Sequence, residues 1–576
     1  MRIFVTLCLA AAAAWAADYA IATSGNDTTG DGSPAKPWAT LGKAIASTTG
    51  DSAATYRLGA GTFTTTGTTT LRSGMSIIGA GRDSTVLIAD LSARGTYAYD
   101  TYCYLTATTI VGITVSDLTL AGAADDVATR RSRALAAYDG TDLTLLRLRM
   151  IRYQDGALHL ERWKRLLVDS CVIEKVTYNT YFQNGLTPAT QSTAIEVADL
   201  EDAKFLRLTI DTRERGGRAI GTDKQKWLET TDSYNWEPAA MVRVEFAYNS
   251  IDTDRFHAWS TGTGAHPPQT NVELWRAYCD TVRLHHNRFN GNLSMTCDTY
   301  TRYGTFQPPY GNPAKPVPDL TMEVDHNLFD LIPTGQVYTY AFETYVPKLQ
   351  FHHNVVFRGI YPFAAWGQGD QNDTSIHHNV FYGTGNSTGL FRNQLETPNL
   401  RFVNNTVYAT NTQTSPMVEL TRPRKDANGN FILDANGQKT YENYQAPNQI
   451  VANNLFLSTV SQTQPVGFTV GCSYNWVWRF ANVGTPVGTG DPSLFSPPPT
   501  ELLTSGGFDW TRMRLAAGSP AIDQGIVVSP ETNGYAGSAP DLGAFESGTT
   551  PWVVGPQNAP VIQPAAAATP AQVALP

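Results

Sequence analysis

Short runs of alternating apolar and polar residues recur along the chain, and from residue 284 onward they meet in one repeated cassette: apolar, any residue, His or Asn, Asn, then an alternating apolar pair. It reads Leu284-His285-His286-Asn287-Arg288-Phe289, Val324-Asp325-His326-Asn327-Leu328-Phe329, Phe351-His352-His353-Asn354-Val355-Val356 and Ile376-His377-His378-Asn379-Val380-Phe381, then Phe402-Val403-Asn404-Asn405-Thr406-Val407 and Ile450-Val451-Ala452-Asn453-Asn454-Leu455. Alternation with a period of two marks half-buried strands, and self-similarity at roughly 25 residues marks a solenoid. Each cassette predicts strand, corner, strand, with the second Asn expected at the corner because it tolerates left-handed backbone. Asn at the same place in successive coils would stack about 4.8 Å apart, each amide donating to the next. The preceding His is expected to be structural, because the pairs recur one per coil and do not converge as metal ligands would.

The rhythm is older in the chain than the His. Ile110-Val111-Gly112-Ile113-Thr114-Val115, Leu166-Leu167-Val168-Asp169-Ser170-Cys171-Val172-Ile173 and Val242-Arg243-Val244-Glu245-Phe246-Ala247-Tyr248-Asn249 keep it without a His pair. Strands this short bury a core only by stacking coil on coil. The fold class read from the pattern is all-β, a parallel β-helix.

Composition narrows this further. A chain of 576 residues with 42% hydrophobic content can fill one elongated core, and 16% charged residues with 48 Gly is the usage of corners and short strands. The only helix expected lies around Lys43-Ala44-Ile45. Met1-Arg2, an apolar stretch too short to span a bilayer, and Ala14-Trp15-Ala16 predict a signal peptide over 1–16, hence a secreted, extracellular or periplasmic protein. The β-helix domain is expected over 17–547 and a Pro/Ala-rich tail over 548–576. A net charge of -9 argues against nucleic acid and against a basic membrane face, and no membrane span is expected. The protein is expected to be a monomer. Cys279 and Cys297 fall on successive coils and either pair or remain buried thiols.

The two ends carry a resemblance. Tyr19 to Asp27, Gly30-Asp31-Gly32-Ser33-Pro34 and Leu41-Gly42-Lys43-Ala44-Ile45, with Ala517-Gly518-Ser519-Pro520-Ala521-Ile522-Asp523 and Ala539-Pro540-Asp541-Leu542-Gly543-Ala544-Phe545-Glu546, resemble the opening and closing segments of secreted pectate-lyase-like proteins. The resemblance implies a right-handed parallel β-helix with a capping helix, and a polysaccharide partner. Its superfamily holds uronan lyases, hydrolases, epimerases and noncatalytic surface proteins. The Asp-Pro-His-Glu motif of the epimerases and the polygalacturonase set are absent from this sequence.

Chemistry is sought one strand earlier than the cassette. Ala194-Ile195-Glu196-Val197, Asn271-Val272-Glu273-Leu274-Trp275, Ala341-Phe342-Glu343-Thr344-Tyr345 and Met417-Val418-Glu419-Leu420 place a Glu at one strand position between inward apolar residues, so the carboxylates should form an outward column. Glu273 and Glu343 are expected two coils apart, about 9 to 10 Å, near the separation at which two carboxylates serve as acid and base around a water. This suits an inverting glycoside hydrolase; the alternative is a solvated sheet face. Trp259, Trp275, Tyr345 and Trp366 are the candidate sugar-stacking residues, and long insertions gather beside the column.

A lyase needs a neutraliser for the uronate carboxylate and a base for the neighbouring proton. Arg218 and Lys224, in the basic stretch from Arg213 to Lys226, are the candidates, Lys224 as base; Glu196 and Glu273 are the candidate oxygen ligands if Ca²⁺ does the neutralising. β-Elimination of an acidic, uronate-containing glycan is the leading expectation, ahead of a Glu273/Glu343 hydrolase and of a noncatalytic glycan-binding solenoid. Asp426-Ala427-Asn428-Gly429 and Asp434-Ala435-Asn436-Gly437 lack the Glu of a calcium loop and predict a β-hairpin arm.

Overall fold

The computed structural model describes residues 17–556 except 52, 66, 90–97, 123–129, 154–155, 177–192, 213–217, 223–224, 227–234, 237–238, 254–269, 275–276, 292, 298–304, 307–314, 317–318, 332–340, 345, 358–362, 366–372, 384–390, 394–396, 411–417, 438, 444–446, 463–471, 481–485, 493–502 and 505–506. The expected signal peptide and the last 20 residues of the tail lie outside the described residues. Strands stack in parallel register into one 25-stranded and one 15-stranded sheet, the two walls of a right-handed parallel β-helix. One continuous hydrophobic cluster fills the bore from Ile21 to Val477.

A single winding shows how sequence makes three faces. In Leu158–Asp169 the buried and part-exposed residues alternate, and the chain bends where Arg162 and Arg165 take positive φ, at 58° and 56°. Residues 158–161 form the first face and 166–169 the second. A further left-handed residue, Ser170, turns the chain into Val172–Glu174 on the third face. Left-handed backbone is costly for most side chains, so it persists only where the stacked coils above and below fix it.

The cassette corner differs from the expectation in one respect. The left-handed residue is the one before the ladder Asn: His286, His326, His353 and His378 have φ of 54° to 55°, and Asn404 and Asn453 take the same place in later coils. The following Asn turns inward instead. Asn249, Asn287, Asn327, Asn354, Asn379, Asn405, Asn454 and Asn475 form a buried ladder in which each Nδ2 donates to the Oδ1 of the next. Asn327 shows the full set: its Oδ1 accepts from Asn287 N and Nδ2 at 2.9 Å, and its own Nδ2 donates to Leu284 O and Asn354 Oδ1. A residue that sits between an inward strand position and a bend must satisfy its polar atoms inside the core, and only a primary amide both donates and accepts twice there.

Beside this ladder runs a second one made of the corner imidazoles. His286 stacks on His326 at 4.8 Å and 2°, His326 on His353 at 5.0 Å and 5°, and His353 on His378 at 5.1 Å and 3°. Trp552 meets His353 edge-on at 5.5 Å.

The third face is covered late in the chain. Its outward positions are polar or charged at Arg149, Thr209 and Arg288 but become Leu328, Val355, Val380, Leu455 and Trp476, and these pack against Met513, Leu515, Leu542, Phe545 and Trp552 of the closing segment. Asn404 Nδ2 donates to Asp541 O and Asn453 Oδ1 accepts from Ile526 N, so the corner positions that change from His to Asn are those that tether this segment. Packing continues past Ser547 through Trp552 and Val554. At the other end the helix Leu41–Ser47, N-capped by Thr40, buries Leu41, Ala44 and Ile45. Cys279 stands opposite Met241 and Cys297 opposite Leu274, so the two occupy different columns. No helix among the described residues is long and apolar enough to cross a membrane.

Two outcomes follow for stability. Asn327→Leu leaves Asn287 N, Asn287 Nδ2 and Leu284 O without their partner, and at about 1 kcal/mol or more for each buried group it should cost about 3 kcal/mol or more, read as a lowered urea midpoint. Burial first, and the neighbouring imidazoles second, push His286 down to about 4 and His353 to about 2, and burial pushes His378 to about 4, all from the ordinary 6.5. The unfolded chain therefore binds protons first as pH falls. Stability from the neutral stack is complete above about pH 6.5 and is lost progressively below it, so the thermal midpoint should drop between about pH 6.5 and 4; a flat profile there would show that the stack does not contribute.

Candidate functional site

Strand register settles which side chains share the first face. Ala136, His159, Glu196, Gly221, Glu273, Thr296, Glu343, Ala364, Arg392 and Glu419 stand directly above one another in successive coils. Glu273 and Glu343 are separated by one coil bearing Thr296, two strand spacings or about 9 to 10 Å. Glu196 and Glu273 are separated by Gly221, a buried position that carries no side chain. Glu196 is part-exposed between buried Ile195 and Val197, as alternation requires. Of Glu273 and Glu343 the structure describes the strand position and not the side chain, while Lys224, Trp259, Trp275, Tyr345 and Trp366 lie outside the described residues. Arg218 is part-exposed and pairs in register with Thr193 at the start of the neighbouring strand.

Around Glu196 the structure assembles a cluster that the sequence reading did not single out. Arg133 Nη2 lies 2.6 Å from Glu196 Oε2, and both side chains are 13% exposed. His159, one coil before Glu196, brings Nδ1 to 3.5 Å from the same carboxylate and Nε2 to 3.4 Å from Glu161 Oε2. Arg133 also hydrogen-bonds His159 Nδ1. Because a guanidinium has no acceptor, Nδ1 must hold its lone pair toward Arg133, which puts the ring proton on Nε2 facing Glu161. Tyr138 packs its ring on the imidazole at 4.9 Å, and Arg162 pairs with both Glu161 and Asp139. One signal for the cluster was available: Leu158-His159-Leu160-Glu161 alternates, sending His159 and Glu161 to the same outward face as the Glu column.

These surroundings do not fit Glu196 as a calcium ligand. Ca²⁺ takes six to eight oxygens, whereas Glu196 is met by a guanidinium and an imidazole. On the second face two groups have ligand atoms close together, His286/Asp325/His326 and Glu323/Asp325/His352. Asp325, however, already accepts two bonds from Arg283 at 2.9 and 3.0 Å and one from His326 Nδ1 at 2.8 Å. The imidazole planes of His286 and His326 lie parallel, so their in-plane lone pairs run side by side and do not converge on one ion. Glu245 belongs to the same network; the His285 hydrogen bond, with Lys204 beside it, brings its carboxyl down to about 2.

The Asp426 and Asp434 segments form the arm expected from sequence. Val418–Pro423, which carries Glu419, continues into an antiparallel pair with Tyr441–Asn443, and Asp426 Oδ1 accepts from Asn428 N and Asn430 N as a turn does.

No family model matches the chain, and no curated protein does. Solved structures do. Pectate lyase Pel9A is 14% identical with a TM-score of 0.33, over 92% of this chain and 96% of that one. The A-module of the Azotobacter vinelandii mannuronan C-5 epimerase AlgE4 is 12% identical with a TM-score of 0.34, over 78% of this chain and 90% of that one. A tailspike protein of the E. coli bacteriophage HK620, in complex with a pentasaccharide, is 9% identical with a TM-score of 0.42, over 80% of this chain and 76% of that one. In architecture the chain is a right-handed parallel β-helix.

Proposed function

We propose that this protein is an extracellular polysaccharide lyase that cleaves an acidic, uronate-containing glycan by β-elimination on the first face. The observation that carries the reading is the Arg133–His159–Glu196 cluster on the first face, in register with Gly221 of the next coil. β-Elimination begins at the proton beside the uronate carboxylate, which becomes acidic only when that carboxylate is neutralised. Arg133 is the neutraliser: Glu196 holds it in place, and it exchanges its bond to His159 for the substrate carboxylate. That exchange frees Nδ1. With Nε2–H backed by Glu161, the imidazole takes the proton at Nδ1, the electron pair forms the ring double bond, and the glycosidic oxygen departs with a proton from solvent. Arg218 adds positive charge on the neighbouring strand, and Lys224 is the competing base. Trp259, Trp275, Tyr345 and Trp366 supply faces on which sugar rings stack.

A second reading rests on a different observation, the single coil between Glu273 and Glu343. That spacing favours an inverting hydrolase in which one Glu protonates the leaving oxygen and the other activates water.

Incubation with uronan and neutral glycans separates the two. The lyase gives the ultraviolet absorbance of unsaturated uronate, and His159→Ala should lower turnover by about 10² to 10⁴, with Arg133→Ala comparably impaired and Glu273→Gln much less so. Reducing ends without that absorbance, abolished by Glu273→Gln, would transfer the reaction to the hydrolase. Normal lyase turnover in His159→Ala with loss in Lys224→Ala would move the base to Lys224, and absence of any product would overturn the enzyme reading.

A further inference from the structure

We infer that the second face carries a separate groove that binds a neutral oligosaccharide, independent of the chemistry on the first face. The groove holds about 530 Å³ and lies over Val282–His285, Thr321–Asp325, Lys348–His352, Asp373–His377 and Arg401–Val403. It therefore runs along the helix axis for four strand spacings, about 19 Å. Its floor is the outward column Arg283, Glu323, Gln350, Ser375 and Arg401. At one end, over Ser375 and Arg401, it is walled by Pro530 and Glu531 of the closing segment. That wall is fixed: Arg401 donates to Ser529 O and to both Glu531 oxygens at 3.0 Å, and Ser375 Oγ donates to Glu531 at 2.8 Å.

The chemistry of the lining selects the ligand. Cations and carboxylates are matched, Arg283 with Asp325 at 2.9 Å and Glu323 at 3.4 Å, Lys348 with Asp319 at 2.8 Å, and Arg401 with Glu531. A polyanion would find its positive partners already engaged by carboxylates, whereas on the first face Arg133 can exchange its bond to the His159 imidazole for a substrate carboxylate. Hydroxyl groups, which donate and accept at once, suit the rim of such ion pairs and the exposed Gln350 amide at the centre. The repeat of the floor adds to this: each coil presents a fresh set of polar groups at a spacing comparable to the length of one sugar unit in an extended chain. A peptide is disfavoured because the floor is a sheet face whose backbone groups are spent in the ladder, leaving no strand edge to extend.

Fluorescently labelled tetrasaccharides of glucan, mannan, galactan and xylan test the inference against the full chain. At least one should bind the wild-type protein, the Gln350→Trp variant, which fills the centre of the groove, should weaken it about tenfold or more, and Gln350→Ala should weaken it less while keeping the wild-type thermal midpoint. His159→Ala should bind the same sugar normally, so a failed lyase reading leaves this result untouched. Failure of every neutral tetrasaccharide to bind, unchanged binding in Gln350→Trp, loss in His159→Ala, or retention only of peptides from a displayed library would overturn it.

Discussion

From Asn249 to Asn475 the molecule depends on one constraint: a buried amide at the second corner of each coil must find its hydrogen bonds in the coils above and below. The Asn ladder meets it, since Oδ1 takes two donors from one neighbour and Nδ2 serves a carbonyl and the other neighbour. This locks vertical register as well as geometry. A slip by one residue would turn every inward side chain outward, and it would also orphan every amide in the stack. With register fixed at the corner, strands on the first face stay aligned even where long segments enter and leave them. That is why residues far apart in number, Glu273, Glu343 and Glu419, come to share one column.

Much of this was legible in the chain. Period-two alternation gave the strands, the recurring Asn gave the stack, and the Glu spacing placed Glu196, Glu273, Glu343 and Glu419 at one strand position. Two things were not. The left-handed residue proved to be the one before the Asn, because the amide's demand for buried partners outweighs Asn's tolerance of positive φ, and the rigid stack forces His286 and its counterparts into the strained place. Arg133 was hidden for another reason: it pairs with Glu196 across more than one coil, and such proximity is a property of side-chain reach, which no spacing along the sequence encodes.

The three faces divide the labour by how their charges are compensated. The third face loses its charges toward the C-terminal end and is covered by the closing segment. On the second, imidazoles, carboxylates and guanidinium groups neutralise one another in a nearly continuous network around Arg283, Asp325 and His352. The first keeps its column of Glu196, Glu273, Glu343 and Glu419, interrupted by Gly221, Thr296, Ala364 and Arg392. An ion pair between part-buried groups, such as Arg133 with Glu196, is worth little as a stabiliser and more as a positioned charge.

The capping helix has a consequence beyond its own packing. Ala17–Ile21 hydrogen-bonds to Ala54–Leu58 on one side, and on the other Ala20 and Ala22 bond to Gly32 and Trp38, so the edge of this first rung, a template for another copy of the chain if left open, is occupied by the segment that leads into the helix. Leu41, Ala44 and Ile45 lie over the apolar mouth at that end. Stripped of that lid, a tube built from identical steps has no internal reason to stop growing, and molecules would join tip to tip into filaments.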